Sequence, residues 1–315
     1  MARYDFSAIG FTVLDVLGRY ASEMPPPGGA IFIDQIRMTV AGTAAATAVD
    51  CAILGLKGQI VTRVGRDDMG DFLISKMRRL GVNTELVQRD DSKQTACSML
   101  PILPNGARAA FFVPGATETF TLAPEDMEAV LDARIIHLGG TGLMTAFDGD
   151  PSLDLLRRAK ALGRTTVFDL ILANAETAAV VEPLLPHSDY FVPSIEEASS
   201  MAGVGDPAEV ARWFKSRGVG NVLLTLESEG VFVDPAEGGP FRLPAHRIDV
   251  ADTTGCGDSF TAGLIVGIAK GWSIHESARF ANAVAAKVAL GLGSDGALTS
   301  FEDTLEAMTN WPLRD

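Results

Sequence analysis

The chain has 315 residues, 47% of them hydrophobic, with 26 Lys and Arg against 40 Asp and Glu and a formal net charge of −14. A chain of this kind can bury a large core, which excludes a disordered polypeptide, and its length suits one α/β domain or two small ones. The negative balance argues against a broad nucleic-acid surface, because phosphate backbones are held chiefly by clustered Lys and Arg, so any phosphate-handling site must be local and built from backbone N–H groups or a metal ion.

The opening run M-A-R-Y-D-F-S places an acid where a signal peptide would carry its apolar segment. Residues 7–11 then predict a first strand, and residues 31–40 read as extended. The most apolar region, 40–56, is rich in Ala and Thr with Asp50 inside it, a poor membrane span. The run at 59–64 passes into R-V-G-R-D-D-M-G at 63–70, a strand, turn and helix whose role can be packing alone. Residues 95–113 are again extended, and Pro104-Asn105-Gly106 is a good hairpin turn, so 31–40 and 95–113 predict a small accessory sheet. Apolar runs at 134–138, 165–168, 190–192 and 222–226 alternate with helix-patterned segments, which predicts an α/β fold with a mostly parallel central sheet covered by helices. Ser194 with Glu197 and Ser273 with Glu276 have capping-box spacing, and Asp206-Pro207 with Glu209 marks another helix start. No linker-like shift divides the chain, so a single domain over 1–315 is expected, with accessory strands inserted at about 15–40 and 94–113. Cys51, Cys97 and Cys256 lack C-x-x-C spacing and the four histidines are far apart, which gives zinc little support and suits a reducing cytoplasm.

The chemistry concentrates in D-T-T-G-C-G-D-S-F-T-A-G, residues 252–263. Gly255 and Gly257 permit positive φ and close approach to a ligand, and Phe260, Leu264, Ile265 and Ile268 have the spacing of a buried helical stripe. A helix start carries unpaired N–H donors and partial positive charge, so the peptides of Gly255, Cys256, Gly257 and Asp258 can cradle an anion such as a transferring phosphoryl group. Asp258 stands where a substrate hydroxyl would arrive. The same residues also suit a plain helix cap with an acid in its first turn. Gly291 to Gly296 matches G-x-G-x-x-G by letter, which would suggest a dinucleotide oxidoreductase. These glycines, however, follow an Ala-rich helical run at 281–290 and more naturally end it.

The 252–263 segment resembles the C-terminal signature D-T-T-G-A-G-D-x-F of the PfkB or ribokinase family of carbohydrate kinases, with Cys256 in the alanine position. The likeness extends along the chain. Residues 63–70 with Leu80-Gly81-Val82 resemble the V-G-x-D-x-x-G segment and its L-G-V continuation, Pro193 to Glu197 the N-x-x-E element with Ser194 for asparagine, and 225–230 the T-x-G-x-x-G edge with Glu227 for a glycine. The resemblance implies a ribokinase-like fold with a small β lid over the substrate, often paired into a homodimer, and ATP and Mg2+ as cofactors. Asp258 would be the base and 255–258 the anion hole. Glu197 would act on Mg2+ through water; Ser194, Thr225, Gly230 and Asn282 would lie on the nucleotide side. Asp252 and Thr254, with backbone near Gly291 and Gly293, fall where several relatives bind a monovalent cation such as K+. On the substrate side Asp15 matches the aspartate that binds hydroxyls and Gly42 the second glycine of G-G-x-x-x-N, while Ala41 and Ala46 replace the first glycine and the asparagine. Thr117 replaces the end of P-G-A-N, and of D-P-N-x-R only Asp169 survives. An intact anion loop beside drifted hydroxyl-reading positions predicts retained phosphoryl transfer to a small sugar-like substrate unlike that of typical ribokinases. A nucleoside kinase of the same family and a non-catalytic sugar or nucleotide sensor on the same fold are the alternatives.

Overall fold

The computed structural model describes residues 2–21, 23, 25–103, 108–171 and 175–314. In chain order the strands are β1 (Tyr4–Gly10), β2 (Val13–Arg19), β3 (Gln35–Ala41), β4 (Gly58–Gly65), β5 (Val87–Asp90), β6 (Cys97–Ile102), β7 (Phe111–Val113), β8 (Ala133–Thr141), β9 (Thr165–Leu170), β10 (Tyr190–Phe191), β11 (Asn221–Thr225), β12 (Val231–Asp234) and β13 (Phe241–Leu243). The helices are α1 (Thr43–Ile53), α2 (Asp68–Arg79), α3 (Met127–Val130), α4 (Asp150–Ala161), α5 (Ala175–Val181), α6 (Ile195–Ala202), α7 (Pro207–Lys215), α8 (Cys256–Ala269), α9 (Ile274–Ala289) and α10 (Phe301–Asn310).

Nine strands form one sheet in the order β13-β12-β11-β10-β9-β8-β1-β4-β5. It is parallel from β11 to β5, with β12 and β13 antiparallel at one edge. Neighbouring residues on a strand point to opposite faces, and both faces here are buried, which explains the nearly unbroken apolar runs. Ile135 and Val167 join a cluster with Ala45 and Ala48 of α1, Leu73 of α2, Leu264 of α8 and Ala281 of α9. Ile136 and Phe168, one position on, pack instead with Leu155 of α4, Ala198 of α6 and Phe214 of α7. The capping boxes expected at Ser194 and Ser273 both form, and Asp206 accepts hydrogen bonds from the amides of Ala208 and Glu209. Helix α8 is buried well beyond a single stripe: Phe260, Leu264 and Ile265 are in the core, Ile268 only partly so. A Cβ at Gly263 would lie 2.6 Å from the Ala281 Cα, so the missing side chain lets α8 and α9 cross closely.

The remaining strands form a separate sheet in the order β3-β2-β6-β7. Strand β2 lies parallel to β6, and the outer pairs are antiparallel. Here the expectations need adjusting. Residues 31–34 carry no strand, and β3 begins at Gln35, whereas Val13–Arg19, a segment the apolar pattern does not mark because Asp15 and Gly18 interrupt it, is the strand on which β3 and β6 pair. The turn at Pro104-Asn105-Gly106 lies outside the described residues. The alternation on this lid is uneven: Asp15, Thr39, Ser98 and Leu100 are buried, while Ile36, Met38, Met99, Phe111 and Val113 are exposed. Among the described residues no helix is long and apolar enough to cross a membrane.

Candidate active site

Ligands of open α/β sheets sit beyond the carboxyl ends of the strands. That end here meets the lid. Phe11 follows β1, Asp169 lies near the end of β9, Val192 follows β10 and Thr225 ends β11; all four line one cavity or its neighbour. The two cavities have volumes of about 450 Å³ and 470 Å³. Arg108, Ser194, Thr225, Thr253, Cys256 and Gly257 border both, so the spaces meet at the start of α8.

The loop before α8 is held by Asp252, which is fully buried. Its Oδ1 accepts from the Thr254 amide at 2.9 Å and hydroxyl at 2.7 Å, and its Oδ2 from the Gly293 amide at 2.7 Å. Gly255 caps the helix with φ 77°, and a Cβ there would fall 2.5 Å from the Ser294 Cβ, so this position requires glycine. Gly257 departs from the expectation of positive φ: it sits inside the first turn of α8 with ordinary helical backbone. A Cβ at Gly257 would meet nothing within 4 Å, because that side faces the cavities. Among the described residues the amides of Gly255, Gly257 and Asp258 find no protein acceptor, as expected of a helix start.

The Asp258 carboxylate lines the first cavity and makes no hydrogen bond, while its carbonyl accepts from the Thr47 hydroxyl at 3.1 Å and so ties α8 to α1. Burial, then the charge of Asp15, pushes its pKa up to about 7, with Arg108 opposing and Glu197 adding. Asp15, on β2 between Thr39 and Ser98, is itself raised to about 6 by burial, against a hydrogen bond from Ser98 and the charge of Arg108. Cys256 donates its thiol to the Ala285 carbonyl at 3.7 Å, and burial raises it to about 12, so it is no nucleophile at neutral pH.

On the lid side, Gly42 caps α1 with φ 95° and lines the cavity; a Cβ there would approach the Phe11 carbonyl oxygen to 2.6 Å. Ala46 is buried one turn further along α1 and does not border the cavity. Asp169 is buried at the cavity wall; its Oδ2 accepts from Thr261 at 3.2 Å and its Oδ1 from the Leu170 amide at 2.8 Å. Thr117 is buried away from this cavity. The rest of the wall is largely apolar, with Phe11 and Phe112 meeting edge to face at 5.9 Å between centroids.

The second cavity contains Ser194, Thr225, Gly230 and Asn282, which sequence reasoning placed together. Gly230 has φ 97° and no room for a Cβ, which would overlap the Leu243 carbonyl oxygen. Glu227, standing where a glycine was expected, keeps that backbone requirement at φ 49°. Asn282 donates to the Pro244 carbonyl at 3.3 Å. Glu197 borders the first cavity, and its Oε2 accepts from both the amide (3.1 Å) and the hydroxyl (2.9 Å) of Ser194, so the cap and the cavity position coexist. Among the described residues no cluster of three or more His, Cys, Asp or Glu side chains forms a metal cage.

This geometry has known counterparts. The family model for pfkB family carbohydrate kinases matches residues 7–300. The chain belongs to the pfkB family of carbohydrate kinases. It is similar to a 2-dehydro-3-deoxygluconokinase of Bacillus subtilis, 25% identical and covering 85% of each chain. A nucleoside kinase of Methanothermobacter thermautotrophicus is 26% identical, covering 96% of this chain and 94% of the relative. The solved structure of Arabidopsis thaliana ribokinase complexed with ribose and ATP superposes with a TM-score of 0.81 at 21% identity, over 98% of this chain and 99% of that one, a likeness of fold. As a member of the family this pfkB kinase is a phosphotransferase that acts on an alcohol group.

Two parts of the pfkB kinase's site escaped sequence reasoning. Arg108, on the lid, donates to the Thr253 hydroxyl at 3.1 Å and lies between the two cavities. It is an isolated basic residue 145 positions from its partner, and nothing local marks it. Residues His246, Ile248 and Val250 wall the second cavity from an irregular segment without periodicity. The V-G-x-D-x-x-G segment keeps its packing role: Asp67 caps α2 at Gly70 and also accepts from the amide (2.7 Å) and hydroxyl (2.6 Å) of Thr95, just before β6, so it fixes the root of the lid.

Proposed function

We propose that this chain transfers the γ-phosphoryl group of ATP to a primary hydroxyl of a small polyhydroxylated substrate. The observation that carries the reading is the unpaired Asp258 carboxylate beside free amides at the junction of two cavities, one suited to each reactant. Asp258 would orient the hydroxyl and accept its proton, and the amides of Gly255, Gly257 and Asp258 would hold the transferring group, while the Cys256 amide is taken up by the Thr253 carbonyl at 3.3 Å. Phosphoryl transfer has a loose transition state that releases this proton late, so placement and charge stabilisation count for more than basicity. Ser194, Thr225, Gly230 and Asn282 would line the nucleotide slot, whose apolar wall of Ile248, Val250 and Ala285 suits a flat base. Mg2+ would screen the phosphates; it keeps much of its water shell, and Glu197 is the carboxylate suited to hold that water. Asp15 and Asp169 would read substrate hydroxyls beside Gly42.

A nucleoside acceptor is the second reading. The edge-to-face pair of Phe11 and Phe112 on the substrate wall favours a substrate with an apolar or planar part. The exposed lid face of Ile36, Met38, Met99, Phe111 and Val113 supports pairing with a second copy, because contiguous apolar strands at a sheet surface are usually covered. Thermal-shift and ADP-release measurements over sugars, sugar acids and nucleosides test the function. ADP formation that depends on one class is expected. ADP release with none of them would count against the reading, and a best response to ribose would count against a substrate unlike that of typical ribokinases.

A further inference from the structure

The loop after α9 backs the anion loop directly. Gly293 donates to Asp252, and Ser294 occupies the space against Gly255, so the position of residues 291–296 sets the position of the α8 start. Two of its carbonyls and its one carboxylate meet a cation that belongs to the chain. Arg37, on lid strand β3, donates through Nη1 to the Leu292 carbonyl and to the Gly296 carbonyl, the latter at 3.3 Å. Its Nη2 donates to Asp295 Oδ1 at 2.7 Å. Lys76 of α2 reaches Asp295 Oδ2 at 3.2 Å from the other side, and Thr39 donates to Asp295 Oδ1 at 3.0 Å.

Carbonyl and carboxylate oxygens in a tight loop are the ligands a bare alkali cation would need, and the resemblance implied such an ion beside Asp252 and Thr254. The donor set does not fit one. Both oxygens of Asp252 already accept N–H or O–H donors, and the loop carbonyls at 292 and 296 face a guanidinium. A guanidinium is always charged and donates in a planar fork, so it can bridge several oxygens as a metal ion would while remaining tethered. We propose that Arg37 is the built-in cation of the 291–296 loop, that it makes K+ unnecessary, and that, because it rides on the lid, it couples lid position to the anion hole. Arg37 is thus a positioning residue. This rests on the function proposed above only in naming the anion hole as the thing positioned.

The test uses the full chain in tetramethylammonium buffers of fixed ionic strength with and without KCl, reading ADP release with the best acceptor and thermal melting in parallel. Wild type should change rate by less than about 1.5-fold with K+ and show no K+-dependent melting shift. Arg37→Ala should lose at least about tenfold in turnover with a smaller change in KM for ATP, the scale of one lost charge-assisted contact. Methylguanidinium or K+ should restore part of that rate and raise the melting point of the variant only, a rescue that a merely structural role would not give. Arg37→Lys, which keeps the charge, should fall between the two and covers the case in which the alanine variant does not fold. Several-fold K+ activation of wild type, full turnover in Arg37→Ala, or absence of any rescue would overturn the proposal. If wild type released no ADP with any acceptor, the proposed function would fall, while the melting response to K+ would still decide the role of Arg37.

Discussion

Replacing Asp258 by Asn should remove activity and yet make the protein more stable, with the gain appearing only at neutral and alkaline pH. The side chain is isosteric, so what changes is charge. In the fold the Asp258 pKa rises from its model-compound value of 3.8 to about 7 through burial and the nearby Asp15. A difference of that size corresponds to roughly 4 kcal/mol at about 1.4 kcal/mol per unit, and because the carboxylate faces a cavity that solvent can enter, screening reduces it to about 1–2 kcal/mol. The sign follows from proton binding. Well below pH 3.8 the folded and unfolded states both hold the proton and the two proteins should be equally stable, and at pH 4, where the unfolded chain is only about half ionised, they should differ little. As pH rises toward 7 the unfolded chain ionises freely while the folded one resists, so wild type loses stability that the Asn variant keeps. Melting at pH 4 and pH 8 should therefore show little difference at the lower value and a gain of about 2–5 °C for the variant at the higher. Turnover by ADP release should fall at least about a hundredfold, the low end for a lost general base, with ATP affinity nearly unchanged. A variant less stable than wild type at pH 8, or one with near-normal turnover, would refute the reasoning.

Other consequences follow from the same geometry. Removing the charge of Asp15 with Asn should move the acidic limb of the kcat/KM profile, expected near pH 7 in wild type, to lower pH; an unmoved limb would mean the two carboxylates do not sense each other. Gly257→Val should fold, since its Cβ meets nothing within 4 Å, but should lose about a hundredfold or more in turnover because the side chain fills the space a phosphate needs. Gly255→Ala should instead fail in stability, by about 1–3 kcal/mol in denaturant melts, from its φ of 77° and the contact with Ser294; equal stability of the two variants would contradict the distinction. His137 is fully buried, both its ring nitrogens find no partner among the described residues, and burial lowers its pKa to about 3. Its contribution is present above pH 6.5 and declines below it, by about 2 kcal/mol at pH 5, so His137→Leu should flatten the loss of stability between pH 7 and 5, and parallel curves would count against it. Met99→Lys on the exposed lid face should shift a dimer to monomer in light scattering, whereas a monomeric wild type would remove the second-copy reading.

Much of this architecture was written locally. The apolar runs at 134–138 and 165–168 predict strands buried on both faces because each successive side chain there meets a different set of helices. Ser194 and Glu197 announce a helix start through short-range hydrogen bonds, and the anion loop through glycines whose absence of a side chain has a visible cause at Gly255. What stayed hidden is long-range. Arg108 and Arg37 act on loops 145 and more than 250 residues away, and an isolated arginine carries no periodicity or turn chemistry to reveal it. Strand β2 was covered only by the broad insertion at about 15–40 and not marked as a strand, because its pattern is set by a lid that buries Asp15 and leaves its end half-exposed. Ala46 shows the opposite case: it is named through likeness to a motif position alone, and it is buried on α1 away from the cavity wall.

The most direct measurement is a crystal structure of the chain with a non-hydrolysable ATP analogue, Mg2+ and the best acceptor from the screen. The account predicts the acceptor hydroxyl within about 3 Å of an Asp258 carboxylate oxygen, and γ-phosphate oxygens against the amides of Gly257 and Asp258. A nucleotide bound away from the start of α8, or an acceptor whose hydroxyls all turn from Asp258, would contradict it.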